Sequence, residues 1–278
     1  MHTVLITGCT PGGIGHALAR EFHARGLQVF ATARQTSKIS DLAALGISTF
    51  ELEVTDAQSI STLRDAITAE TGGSLDMLIN NAGRNYTVPA LDVSMSEIRS
   101  VFETNLFSVM MMCQAFAPLL IRSGGTIVQI GSVAGVTPYV FGSVYNASKA
   151  ALHSYSDALR VELAPLGVRV VTVITGGVIS NIARTHISLP PNSYYLPLEK
   201  EYELRQTHSQ ANGIPNEEYA KFVVQKVLGS KQNVLWAGGK SWLAWFGTYF
   251  LPKWVVDAYM TRMCSLWKLK QANMKKST

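Results

Sequence analysis

Tyr145 and Lys149 stand four positions apart, and Ser132 lies upstream at the end of an apolar run. On a helix, residues four apart share one face, one turn from each other. A phenol and an ammonium are then neighbours, and a loop returning from a strand end can bring the Ser132 hydroxyl over the same ring. Together these groups make a proton-transfer device. A free tyrosine ionises near pH ~10, too high for acid–base work near neutrality. A fixed positive charge beside it moves that value down, towards the range where general acid–base catalysis is efficient. Taken alone, Tyr-x-x-x-Lys is a pairing that helices carry by chance, so its meaning depends on the elements around it.

Those elements are legible. Residues 125–130 form an apolar strand, Gly131-Ser132-Val133-Ala134-Gly135 a turn-rich loop, and a helix runs from near residue 143 towards 162. At the other end of the chain, Val4-Leu5-Ile6 reads as a strand buried on both faces of a parallel sheet. The turn Thr7-Gly8-Cys9-Thr10-Pro11-Gly12-Gly13-Ile14-Gly15 follows, and then a helical pattern over residues 14–25. Strand, glycine turn and helix start form a phosphate cradle. Glycines let the backbone approach a pyrophosphate, and the free N–H groups and dipole of the helix attract its charge. The second strand, residues 28–32, ends in Ala33-Arg34. Ala33 offers no carboxylate to a ribose 2′-hydroxyl, whereas Arg34 can pair with a 2′-phosphate, so the pattern favours NADP over NAD.

Further along, a helix over residues 37–45 leads to a third strand at 48–54, and Thr55 or Asp56 caps a helix reaching residue 70. A fourth strand at 75–79 ends in Asn80-Asn81-Ala82-Gly83, a small polar cluster where ligands of doubly wound sheets gather. The long helix over residues 96–121 is apolar over much of its surface, with Asn105 the polar exception. Asn105 can satisfy backbone groups in the core or hold a water in a proton path. The sixth strand, residues 167–174, ends in Thr175-Gly176-Gly177-Val178-Ile179-Ser180. Residues 181–212 show no clean periodicity and read as an irregular lid or substrate loop. An amphipathic helix at 216–228 and a seventh strand at 233–238 complete the pattern. The alternation predicts an α/β fold: a single Rossmann-type doubly wound parallel sheet of about seven strands with helices on both faces. With no convincing linker, residues 1–240 are expected to form one dinucleotide-binding catalytic domain, with its substrate loop at 181–215.

Composition narrows the classes. Of 278 residues, 47% are hydrophobic and 15% charged, which suits a folded core and excludes a disordered chain. The net charge of +5 is modest and spread along the chain, so nucleic-acid binding is not expected. Cys9, Cys113 and Cys264 have neither paired nor metal-like spacing, which points to a reducing intracellular setting and to no metal site. No secretory signal pattern and no apolar run of bilayer-spanning length stands out. Residues 241–278 form an aromatic and basic tail: Trp242, Trp245, Phe246, Tyr249, Phe250 and Trp254, then Arg262, Lys268 and Lys270. That mixture suits a helix lying in a bilayer interface, or packing on its own domain or a second subunit.

Taken together, these residues resemble the short-chain dehydrogenase/reductase (SDR) family over residues 3–240. The match rests on the glycine turn, Asn80-Asn81-Ala82-Gly83, Asn105, Ser132, Tyr145 and Lys149. The resemblance implies that Tyr145 is the general acid/base, that Ser132 orients and polarises a carbonyl, and that Asn105 positions a relay water. It implies that Lys149 binds the nicotinamide ribose and lowers the Tyr145 pKa. It places the cofactor, NADPH or NADP, on Gly8, Thr10, Gly13, Ile14, Gly15, and on Arg34, Glu53 and Val54. Asn81, Ala82 and Gly83, Tyr145 and Lys149, and Val178 and Ser180 complete that set. Within the family, the glycine turn, the 173–178 stretch, Ala31-Thr32-Ala33-Arg34 and the tail look most like the fungal 1-acyldihydroxyacetone-phosphate reductases. Fungal secondary-metabolite ketoreductases share these features. The sequence departs from the family pattern in a glycine turn one residue longer than usual, in Glu53 where an Asp is usual, and in Thr175 where a proline is common.

The reading implied is an NADPH-dependent ketoreductase of a small lipid-like ketone, in the cytoplasm, peripheral to the endoplasmic reticulum or a lipid droplet, and homo-oligomeric through the helix near 143–165. The alternatives are a tailoring reductase or dehydrogenase of fungal secondary metabolism, and reuse of NADP for non-redox chemistry. A cofactor-sensing binding protein would be expected to have lost Tyr145 or Lys149, and both are present.

Overall fold

Short runs rich in Val, Ile and Leu with no polar alternation form strands buried on both faces. In the computed structural model, which describes residues 2–183 and 186–276, seven such strands make one parallel sheet. They are β1 (Thr3–Ile6), β2 (Gln28–Ala33), β3 (Ser48–Glu51), β4 (Met77–Asn80), β5 (Thr126–Ile130), β6 (Arg169–Thr175) and β7 (Val234–Ala237). Their order is β3-β2-β1-β4-β5-β6-β7. Chain order reverses direction between β1 and β4, and in sheets of this kind the crevice opens there, at the carboxyl ends of the strands. β3 stops at Glu51, short of the expected residue 54, and leaves Glu53 and Val54 in a loop.

The helices are α1 (Ile14–Ala24), α2 (Ser40–Ala44), α3 (Ala57–Thr71), α4 (Met95–Phe102), α5 (Ser108–Ser123) and α6 (Ser143–Leu163). They continue with α7 (Glu199–Asn212), α8 (Asn216–Gly229), α9 (Ser241–Phe250), α10 (Lys253–Met263) and α11 (Trp267–Lys276). On one face, Leu18 and Phe22 of α1 and Val223 and Val224 of α8 pack on Val4, Ile6 and Val171. On the other, Ile67 of α3, Phe116 of α5 and Leu152 of α6 pack on Leu5, Leu78 and Ile127. Each large apolar side chain fully buried in this way stabilises the fold by roughly 1.5–3 kcal/mol. The two packed layers bring the glycine turn, the end of β4 and the start of α6 together.

Asp56 takes the capping role left open between it and Thr55: its carboxylate accepts the Gln58 N–H, 2.9 Å away. Three other expectations change. The single helix expected over 96–121 is α4 and α5 joined through a π-turn, Glu103–Phe107, which contains Asn105. Met95–Ser123 as a whole is long and apolar enough to cross a membrane by length and composition, contrary to the sequence reading. Here half of an 18-residue apolar window within it is buried in the protein, with Met112, Cys113, Phe116 and Leu120 in the sheet core. The stretch 181–212 is not irregular throughout. It contains 3₁₀ turns at Asn181–Ala183 and Leu196–Leu198 and the whole of α7, while residues 184–185 lie outside the described residues. α7 escapes periodicity because it is polar and touches the core at few points. Tyr202 donates to Thr87 O at 3.0 Å, and the Gln206 amide exchanges hydrogen bonds of 2.9 Å with the Ile187 N–H and carbonyl.

Candidate active site

A cavity of about 1420 Å³ runs along the carboxyl ends of the strands. A drug-sized ligand typically fills roughly 300–1,000 Å³, so this one has room for two molecules side by side. One end is formed by the glycine turn, the other by Ser132, Tyr139, Tyr145 and Arg205.

The turn end is held by backbone. Thr7 Oγ1 accepts the N–H groups of Asn81 (3.0 Å) and Ala82 (2.9 Å). Asn81 Nδ2 donates to the carbonyls of Thr7 (2.8 Å) and Gly8 (3.1 Å), so its amide shapes the turn while Asn81 still lines the cavity. Gly8 has φ +74°, and a Cβ at Gly15 would lie 2.5 Å from both Gly8 O and Asn81 Nδ2. Only glycine allows that approach. Gly8, Thr10, Gly13 and Ile14 line the cavity; Gly15 lies beneath it and lets α1 start there. The longer turn is braced from the lid: Asn181 Nδ2 donates to Pro11 O at 2.5 Å.

Arg34 lines this end, exposed and without an ion pair among the described residues. Lys38, which the sequence reading passed over, lines it too. Glu53 and Val54 reach the cavity, but the Glu53 carboxylate accepts from Thr55 N (3.2 Å) and Oγ1 (2.8 Å), closing its own turn. Ala82, Gly83, Val178 and Ser180 are also on the wall. Thr175 stands where a proline was expected, and its hydroxyl is 2.7 Å from the Tyr219 hydroxyl of α8, which ties β6 to that helix.

At the other end Ser132, Tyr145 and Lys149 all line the cavity. The Ser132 hydroxyl accepts the Ala134 N–H (3.1 Å) and also hydrogen bonds with the Tyr145 phenol. Lys149 Nζ is buried and donates to Ile130 O at 2.8 Å. Burial pulls its pKa down from 10.5 to about 8. The phenol of Tyr145 behaves differently from expectation. Burial raises its pKa, and the opposing influences are the Ser132 hydrogen bond and the charge of Arg205, not Lys149.

Asn105 does not line the cavity. Its Oδ1 accepts the Arg84 N–H (2.8 Å), and its Nδ2 donates to Arg84 O (2.9 Å) and Ser148 Oγ (3.0 Å). Of the two roles open to it, this geometry gives its side chain the structural one, and the π-turn aims it there. π-turns inside α-helices recur at functional sites.

Sequence reasoning missed His153 and Arg205. His153 follows Lys149 by one more turn of α6, and its Nε2 accepts the Ser132 N–H at 3.2 Å. A Cβ at Gly131 or Gly135 would collide with its ring. Burial and the Lys149 charge push its pKa down to about 4, so the ring is neutral. The continued four-residue spacing was the available signal. Arg205 lies on α7, in the stretch read as irregular.

The geometry can be set against known proteins. The family model described as short chain dehydrogenase matches residues 2–188. The short-chain dehydrogenase virD of Hypocrea virens is 42% identical, over 98% of this chain and 96% of its own length. The NADPH-dependent 1-acyldihydroxyacetone phosphate reductase of Schizosaccharomyces pombe is 45% identical, over 71% of this chain and 69% of its own. A crystal structure of a short-chain dehydrogenase from Streptomyces avermitilis superposes with TM-score 0.77 at 26% identity, covering 98% of this chain and 97% of that one.

Proposed function

This chain belongs to the short-chain dehydrogenase family, an oxidoreductase acting on a small molecule, and from that premise we propose that it reduces a ketone with NADPH. The observation that carries the proposal is that hydrogen-bonded Ser132 and Tyr145 share with Lys149 the wall of a cavity that also contains the glycine cradle. The cradle fits a dinucleotide, since Gly8, Thr10, Gly13 and Ile14 bring backbone to the cavity wall at the start of α1, where a pyrophosphate would meet the free N–H groups of the helix. Arg34 and Lys38 supply positive charge where a 2′-phosphate would sit, and the Schizosaccharomyces relative is named for NADPH dependence.

When bound, the cofactor supplies the hydride. Ser132 and Tyr145 hold the carbonyl oxygen through hydrogen bonds that strengthen as negative charge develops on it. Tyr145 then releases its phenol proton to that oxygen. Its raised pKa keeps the phenol protonated at neutral pH, the form a reduction requires. Lys149, with a pKa of about 8, remains mostly charged there and offers its other N–H donors to ribose hydroxyls. His153 holds the Ser132 backbone, and Asn105 holds the Arg84 backbone.

The substrate proposed is lipid-like, of the 1-acyldihydroxyacetone phosphate class. The 45% relative supports it by its name, whereas the name of the Hypocrea relative specifies no substrate. A second observation supports peripheral contact with a membrane: α9 exposes Trp242, Phe246, Tyr249 and Phe250 beside Lys253 and the exposed Trp254 of α10. The test of function is NADPH consumption, with NADH as control, by wild type and Tyr145→Phe. The panel sets acyl-dihydroxyacetone phosphate against phosphate-free aromatic and polycyclic ketones. Tyr145-dependent turnover confined to the acyl phosphate supports the lipid reading. Turnover of the phosphate-free ketones alone moves the protein to tailoring chemistry, and turnover of none defeats the redox assignment.

A further inference from the structure

Arg205 lines the cavity, and among the described residues it has no counter-ion. It projects from α7 and its guanidinium carbon lies 4.7 Å from the centroid of the Tyr139 ring, in cation–π geometry. Its Nε is buried and has no hydrogen-bond partner. Among the described residues no carboxylate reaches it. The nearby acid on the same helix, Glu201, is engaged with Lys268 of α11 at 2.5 Å. A guanidinium whose Nε is buried and unpaired is costly to hold unless an anion completes it. Burial lowers its pKa, and the groups acting on it are Tyr139, Tyr145 and Cys264, none of which is a carboxylate.

The surroundings hold this cation in place. The loop beneath α7 carries Phe141 in the left-handed region at φ +63°, buried, with edge-on contacts to Tyr195 (6.0 Å) and Tyr202 (5.5 Å) between ring centroids. Gly142 follows, and a Cβ there would lie 3.9 Å from an Arg205 terminal nitrogen. Leu266, just before α11, and Leu269 within it pack on the same cluster. The guanidinium is therefore stacked on Tyr139, pre-oriented, and within electrostatic reach of the Tyr145 phenol. It lies at the end of the cavity away from the glycine cradle, so the cofactor phosphates have their own site.

We propose that Arg205 anchors an anionic group on the ketone substrate, a phosphate monoester or a carboxylate, and so selects anionic over neutral ketones. This rests on the ketoreductase reading and adds to it a binding site on the lid. A guanidinium forks to an oxyanion through paired N–H donors. Loss of a hydrogen bond to a charged group costs about ten- to a hundredfold in affinity.

The test uses the full chain saturated with NADPH. One arm compares two matched pairs: 1-palmitoyl-dihydroxyacetone phosphate with its dephosphorylated form, and an oxo fatty acid with its methyl ester. For each pair the ratio of kcat/KM, anionic over neutral, is measured in wild type, Arg205→Lys and Arg205→Gln. The ratio is expected to fall at least tenfold in Arg205→Gln, through KM, with Arg205→Lys between. The pair that responds identifies phosphate or carboxylate. An unchanged ratio overturns the proposal. So does an equal loss on both members of each pair with a shifted pH profile, which would reduce Arg205 to tuning Tyr145. The second arm is calorimetric titration of inorganic phosphate and of acetate into the NADPH complexes of wild type, Arg205→Gln and Tyr145→Phe. Binding that weakens at least tenfold only in Arg205→Gln supports the anchor, and equal binding in all three overturns it. This arm decides the matter even if no ketone is turned over, an outcome that would defeat the ketoreductase reading by itself.

Discussion

The two ends of the cavity are held by different forces. At the cradle, Thr7 and Asn81 join the ends of β1 and β4 through hydrogen bonds that involve main chain on at least one side. At the lid, α7 and the Tyr139–Gly142 loop are held by aromatic side chains, by Leu266 and by Leu269 of α11, and by the Lys268–Glu201 ion pair. Backbone contacts tolerate almost any side-chain change except at glycine, whereas side-chain packing is re-shaped by each substitution. On the proposed function, the cradle and the Ser132–Tyr145 end are thus suited to one constant task, and the lid to a choice among substrates. That division makes predictions about where mutations should act.

The largest effect belongs to the shared centre. Tyr145→Phe should lower kcat/KM for ketone reduction by about a hundred- to ten-thousandfold, while fluorescence titration shows NADPH still binding. A comparable loss of NADPH binding would break the separation of the two ends. Next, Phe141→Ala empties the lid cluster and should destabilise the protein by about 3 kcal/mol, the usual cost of removing a buried phenyl ring. Thermal unfolding measures that cost. The accompanying rise in substrate KM should exceed any change in cofactor KM.

His153 lies behind Ser132 and should show itself through acid. Its folded pKa of about 4 lies below the ordinary 6.5. Between those values the unfolded chain binds a proton that the folded chain refuses. Stability is therefore lost as pH falls from 6.5 and the loss is complete below about 4, amounting to about 3 kcal/mol. Unfolding midpoints measured across that range should flatten in His153→Gln. An unchanged slope would show that other groups carry the acid sensitivity. The smallest effect is at the lid's ion pair. Lys268→Met should change stability by less than about 1 kcal/mol, because the Lys268 side chain is 40% exposed. A larger loss by denaturant titration would mean that α11 holds the lid mainly by charge.

The same division explains what could be read from the sequence. Strands β1, β2, β4 and β5, the glycine turn and the Ser132–Tyr145–Lys149 set were legible because each is a local pattern of residue types. α7 was not, since its helical state depends on Tyr202 and Gln206 meeting distant backbone at Thr87 and Ile187. Arg205 was hidden with it. His153 went unread because its partner, the Ser132 N–H, carries no side-chain signature. Asn105 stood out as a polar position, but its hydrogen bonds to Arg84 depend on a π-turn that no local residue pattern announces. The Tyr145 pKa was misjudged because spacing reveals neighbours on a helix and says nothing of burial.

That π-turn has a consequence for the chain's tolerance of insertions and deletions. A wide turn in a helix is in effect one residue more than an α-helix would hold, and each residue advances the helix by about 100°. Removing any one of residues 103–107 would let α4 and α5 run on as one regular helix with their faces still in phase, because the wide turn only absorbs the extra residue. Val101 and Phe116, both fully buried, would still face inward together. What such a deletion would remove is the local turn that carries Asn105 to the Arg84 backbone.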